Sequence, residues 1–319
     1  MHELTSRERL VARAAEAVIV AGRGTAIAAS VLAVSAVAVA VPAAVRGISD
    51  PADPAQASHR ALVVLAEDGT VERRDAGDGK TRKRYPQATA VQRKALYATA
   101  DGTVIRTVPS ANTCGTQLIT LEESPRAIAA LPVVDIMTIR RSGSHIIFSG
   151  RDCAGGAGIF RASERGQDLE RVAGTDTPAF SLSQSADGSL LAYVIDSPSG
   201  FVVQTISRAT GSRSSESAPT GCIYTAATYH RAETLLVSEH CEASDSHRLI
   251  ELSSSGDKTI LADLPAPALG LEPSPDRQAL LVQLRAGSGA RPGLMDLHVW
   301  ESGELRRIPT RSVATGAWA

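Results

Sequence analysis

Aromatic residues are few in this chain of 319, at 3% of the total, and there is almost no net charge, −1 at neutral pH. The first shortage removes base-stacking platforms. The second argues against general nucleic-acid binding, which needs a basic surface to displace phosphate counterions. Lysine is scarce and Asn112 is the only asparagine, while Ala, Val, Arg and Gly abound. That bias suggests a high-GC bacterial genome and says nothing about activity. No Cys-x-x-Cys pair, no G-x-S-x-G elbow, no D-x-D-x-D-G run and no lipobox cysteine occurs. Structural zinc, an α/β-hydrolase nucleophile, a calcium loop and a lipid anchor therefore lack their usual signals. No cofactor is expected.

A long apolar run is present. Thr25 to Val45 carries no charge. At about 1.5 Å per residue it can cross about 30 Å of hydrocarbon. Arg7, Arg9, Arg13 and Arg23 precede it and only Arg46 follows closely. The positive-inside rule puts the N-terminus in the cytoplasm and the bulk of the chain outside. Residues 1–24 read as a short cytoplasmic helix, with Thr5 and Glu8 as a capping box. Residues 25–45 read as an uncleaved signal anchor. Small residues around Ala40 and Ala43 leave cleavage and secretion as the alternative. Residues 46–58, with two Asp-Pro pairs, read as an extended linker.

From residue 59 onward no long helix is evident. Short apolar strands alternate with Gly-containing turns, which makes an all-β domain. Ser181 to Asp196 reads as strand, Asp187-Gly188 turn, strand, and Leu271 to Leu284 echoes it. The apolar second strand recurs at His145–Phe148, Leu190–Val194, Thr234–Ser238 and Ala279–Gln283. Their spacing of about 44 residues is that of a four-stranded propeller blade. Ala61–Leu65 and Ala95–Ala98 extend the series less regularly. The expected fold is a six-bladed β-propeller of four-stranded antiparallel blades over 59–319, preceded by one transmembrane helix. The first unit lacks a preceding inner strand, and Val313–Ala319 is an orphan. That orphan is expected to complete the first blade and lock the ring.

Ser185-Ala-Asp-Gly-Ser-Leu-Leu-Ala-Tyr193 and Ser274-Pro-Asp-Arg-Gln-Ala-Leu-Leu-Val282 resemble the SPDG-plus-strand motif of TolB-like, WD40-like propellers. The resemblance implies a binding scaffold outside the cytoplasm. TolB has a separate N-terminal domain where this chain has an apparent anchor, so the Tol-Pal role does not carry over.

Four cysteines allow three pairings. Cys222 and Cys241 face each other across a hairpin turning near His230, where a non-hydrogen-bonded pair has Cα atoms about 4.5 Å apart. Closing that loop contributes roughly 3 kcal/mol in the chain-entropy model. Elimination leaves Cys114 for Cys153. The strand map puts these two on opposite rims, so either the strands of the second blade are misplaced or both thiols are free. Zinc is a poor alternative to disulfides, because His240 beside Cys241 is not a convergent ligand set.

Candidate chemistry is sparse. Ser142-Gly-Ser144 and Gly287-Ser-Gly289 read as turns. A channel enzyme needs acidic groups or histidines on several inner strands; only Asp135 is placed on one, with His59 and Glu272 near strand ends. The basic run Arg73, Arg74, Lys80, Arg82, Lys83, Arg84 reads as a solvated outer edge protected from pairing. Its functional alternative is contact of Arg82, Lys83 and Arg84 with an anionic surface. The best reading is a monomeric, non-enzymatic, membrane-anchored scaffold for a protein, peptide or wall component. The alternative is a channel-centred enzyme or small-ligand sensor.

Overall fold

The computed structural model describes residues 60–85, 96–197, 200–231, 234–287, 290–291 and 293–319. The expected cytoplasmic helix and linker, the apolar run 25–45 and His59 lie outside them. Among the described residues no helix is long and apolar enough to cross a membrane.

Those residues form twenty-four strands and one short 3-10 turn, Glu242–Ser244. Four sheets have four antiparallel strands each. They are β4–β7 (Leu96–Ala98, Val104–Pro109, Thr116–Thr120, Ala127–Leu131) and β8–β11 (Val133–Ser142, His145–Asp152, Ala157–Ser163, Glu170–Gly174). The other two are β12–β15 (Ser181–Gln184, Leu190–Ser197, Gly200–Ser207, Arg213–Ser217) and β16–β19 (Cys222–Tyr229, Leu235–Cys241, Ser246–Leu252, Lys258–Asp263). The fifth sheet has eight strands in two halves. One half is β20–β23 (Ala268–Pro273, Ala279–Arg285, Met295–Glu301, Glu304–Arg307). In the other half the final strand β24 (Val313–Trp318) pairs with β1 (Ala61–Ala66), followed by β2 (Val71–Asp75) and β3 (Thr81–Tyr85). A single residue pair, Met295 with Val313, joins the halves.

The closure expected of the C-terminal strand is present. Leu62 pairs with Trp318, Val63 with Ala317 and Val64 with Gly316. Leu62, Val64, Trp318, Leu281, Leu297 and Ile308 share one buried cluster, so the two chain ends are packed as well as hydrogen-bonded. The Arg60 guanidinium adds bonds of 2.8 Å to Asp276 and to Glu301.

The motif that carries the resemblance is turn chemistry. Asp187 Oδ1 accepts from Ser185 Oγ, the Ser189 amide and Ser189 Oγ, and Ser185 Oγ accepts from the Leu190 amide. These donors, the Ser185 hydroxyl foremost, hold the Asp187 carboxyl down to about 2. Gly188 supplies the positive φ of 75° that this turn demands. Ser274 and Asp276 repeat the arrangement, with Arg277 accepting a φ of 55° in the place of the glycine.

One strand assignment is corrected. Leu96–Ala98 is the first strand of its sheet, not the second. The turn Thr99–Thr103 then follows a first strand, and Thr99 Oγ1 donates to Asp101 as Ser185 does to Asp187. The correction moves Cys114 into the loop between a second and a third strand, β5 and β6. Cys153 occupies the equivalent loop between β9 and β10. The two cysteines therefore share a rim, and they form a disulfide with Cα atoms 5.8 Å apart. Cys222 and Cys241 form the second bridge, as directly opposed residues on β16 and β17.

Two outcomes follow from closure and bridging. Deleting residues 312–319 removes the partner of β1 and the Trp318 side chain, whose loss alone costs about 3–5 kcal/mol. Severe loss of folded protein is expected on size exclusion and near-UV circular dichroism, and a fully stable truncation contradicts the closure. Thiol titration of unreduced, unfolded protein should find no free cysteine; four titratable thiols refute both bridges.

Candidate functional site

The first strands of the sheets meet one another in cyclic order: β24 with β4, then β8, β12, β16 and β20. β20 returns to β24 through Trp318, whose indole Nε1 donates to the Glu272 carbonyl at 2.9 Å and whose amide donates to Glu272 Oε1 at 3.2 Å. Side-chain hydroxyls latch the neighbours. Ser181 Oγ bonds both the carbonyl and the amide of Ala227, and Ser183 Oγ accepts from Thr228 Oγ1 and the Tyr229 amide. Thr225 Oγ1 donates to the Ala268 carbonyl at 2.6 Å. Small polar residues thus link β12 to β16 and β16 to β20.

The key feature is an ion pair across this cycle. Arg140 on β8 places Nε 3.3 Å from Oε2 of Glu272 on β20, without hydrogen-bond alignment. β8 and β20 stand three places apart among the six first strands, on opposite sides of the cycle. The two side chains are only 18% and 13% exposed. Burial pushes the Glu272 carboxyl up, against the pull of Arg140 and of the Trp318 amide. Arg277, in the turn after β20, donates to three carbonyls, those of Gln184, Tyr229 and His230, at 2.9 to 3.1 Å. His230 is buried edge-on to the Trp300 ring. Burial, then the charges of Arg231 and Arg277, lower its pKa to about 4, so it stays neutral near pH 7.

The placement of the expected site residues differs from residue to residue. Glu272 lies on the inner strand β20, one residue from its end, close to a strand end as expected. Asp135 leaves the inner face. Between Val134 and Thr138 the strand bulges, and Asp135 sits there exposed with φ 51°. The bulge lies over Gly150, where an added Cβ would fall 2.7 Å from the Val133 side chain. No set of acidic or imidazole groups from several first strands converges among the described residues of the cycle. A cleft of about 170 Å³ bordered by Asp101, Glu122, Arg126, Glu164 and Arg165 is below the roughly 300–1,000 Å³ of ordinary small-molecule sites.

The basic run lies on β2 and the outer edge strand β3, with Lys80 in the turn between them. Arg84 pairs with Glu72 at 2.9 Å, Arg82 with Asp75 at 3.0 Å, and Lys83 stands 5.0 Å from the Tyr85 ring centroid. Arg74 and Thr81 also bond Glu72. Two of the three cations therefore meet carboxylates of their own sheet, which favours the protected-edge reading over a free anionic-surface contact.

Replacing Arg140 by Gln strands the Glu272 carboxylate in a desolvated place. A loss of about 3 kcal/mol or more is expected by chemical unfolding at pH 8. A native carboxyl titrating above its unfolded value loses stability as pH rises through that window. The deficit of Arg140→Gln should therefore shrink toward pH 5, and a deficit independent of pH would remove Glu272 from the account.

No family model matches the sequence, and no curated protein matches it either. Solved structures do match. TolB from Acinetobacter baumannii aligns with a TM-score of 0.59 at 15% identity, over 82% of this chain and 66% of that one. A chain of the nidogen/laminin complex aligns with a TM-score of 0.56 at 13% identity, over 78% of this chain and 93% of that one. A chain provisionally assigned as a 6-phosphogluconolactonase from Bacteroides uniformis aligns with a TM-score of 0.52 at 12% identity, covering 82% and 100%. At these identities the likeness speaks for architecture alone, and the motif, the antiparallel four-stranded sheets and the closing strand agree with it: the chain has the fold of a TolB-like β-propeller.

Proposed function

We propose that this chain is a six-bladed, non-enzymatic binding scaffold, held outside the cytoplasm by a single N-terminal span. It engages a protein, a peptide or a wall component across its rims. The observation that carries the reading is the Arg140–Glu272 pair. Propeller enzymes work from a polar channel that substrate or metal can enter. Here an ion pair joins first strands from opposite sides of the cycle. Binding then falls to the outer faces and loops. Two of the solved structures that share the fold, TolB and the nidogen/laminin complex, are in keeping with a scaffold role.

The disulfides support the location. Both bridges persist only in an oxidising compartment. The charge asymmetry around residues 25–45 gives the same orientation. Protease added to intact cells should remove the propeller and leave an N-terminal tag protected; a protected propeller overturns the topology. Crosslinking in intact cells, followed by denaturing purification, should recover a discrete envelope partner with the full chain and not with residues 1–58 alone. Equal recovery with both would assign the contact to the anchor and end the scaffold reading.

A further inference from the structure

One cluster has no part in the closure or in the cycle of first strands. His240 on β17 and His247 on β18 are directly opposed residues of a hairpin. Their rings lie 4.5 Å apart between centroids, tilted by 30°. The 3-10 turn Glu242–Ser244 joins the strands and ends at Asp245 in a left-handed conformation, its amide bonded to the Glu242 carbonyl. That conformation returns the Asp245 carboxylate toward the strands, where Oδ1 stands 3.6 Å from His247 Nε2. One ligand atom from each of the three residues lies within 4.8 Å of the others. The Nδ1 atoms of both histidines are buried without a hydrogen-bond partner. Two imidazoles stacked in this way, each with an unused ring nitrogen, gain little from each other.

We propose that His240, His247 and Asp245 form a mononuclear site for a borderline divalent metal ion, with Zn²⁺, Ni²⁺ and Co²⁺ as the class. The donor set is two imidazoles and one carboxylate, which suits these ions and not the all-oxygen preference of Ca²⁺ or Mg²⁺. Metal–nitrogen bonds of about 2.0–2.1 Å place neighbouring ligand atoms roughly 3.3 Å apart in a tetrahedron. The Asp245–His247 spacing is already near that. Asp245 is 91% exposed and free to close the remainder. Solvent supplies the open position.

Cys241, next in the chain to His240, is bonded to Cys222, so neither sulfur competes as a ligand while the bridge stands. The site lies at the loop between a second and a third strand, the kind of loop that elsewhere carries Cys114 and Cys153. A metal there would brace a rim loop beside a disulfide.

The test uses the untagged full chain in detergent with its disulfides intact, titrated calorimetrically with Zn²⁺, and Co²⁺ as a spectroscopic probe. One equivalent of Zn²⁺ should bind. His240→Asn and His247→Asn should each weaken it by about tenfold or more. Asp245→Asn, in an exposed turn that tolerates asparagine, should weaken it without disturbing the fold and serves if a histidine variant is unstable. Bound Co²⁺ should show ligand-field bands without thiolate charge transfer. Absence of binding overturns the proposal, as does full affinity in the double histidine variant. So does binding that appears only after reduction, which would make Cys222, Glu239 and Cys241 the ligands.

Discussion

Everything in this domain rests on the pairing of β1 with β24. A meander of antiparallel strands leaves an open edge at each end, and two such edges would otherwise recruit other strands. Supplying the first strand of one sheet from the far end of the chain removes both edges at once. The consequences reach inward. Trp318, held in register by this pairing, donates twice to Glu272. Glu272 in turn meets Arg140 from the opposite side. The middle of the molecule is thus fixed by the strand that closes it.

Much of this was legible because hairpins are local. The Ser-x-Asp-Gly turn sets strand positions through hydrogen bonds that span only a few residues, so its recurrence is a dependable ruler. The ruler slipped where the turn was disguised. Thr99-Ala-Asp-Gly102 performs the same chemistry as Ser185-Ala-Asp-Gly188, with a threonine hydroxyl in place of serine. Reading Thr99 as the equivalent of Ser185 would have shifted the strands of that sheet by one and put Cys114 and Cys153 on a common rim. The short polar outer strands, such as Arg213–Ser217, carry no apolar signal and escaped notice for that reason.

The inner features were not legible, and the cause is sequence distance. Arg140 and Glu272 belong to strands from different sheets, and no local pattern relates them. Asp135 sits on an inner strand in sequence, yet the bulge at Asp135–Met137 turns it to solvent. Alternation predicts a face only while the ladder is regular. His247 was overlooked for the converse reason. It lies seven residues from His240, a spacing with no fixed meaning until the hairpin register makes the two partners.

The closing strand also governs time. Leu62 and Trp318 are joined across roughly 250 residues of chain. The inner hairpins, such as β12–β13 and β16–β17, need only short loops and can form early. The entropy of joining distant ends grows slowly with length, about 0.6 kcal/mol for each doubling, but the encounter must wait until the intervening sheets have brought the ends together. Until Val313–Trp318 is in place, β1 lacks its antiparallel partner on that side. Any factor that attends this chain during maturation would have its longest opportunity there, at Ala61–Ala66, before Trp318 arrives.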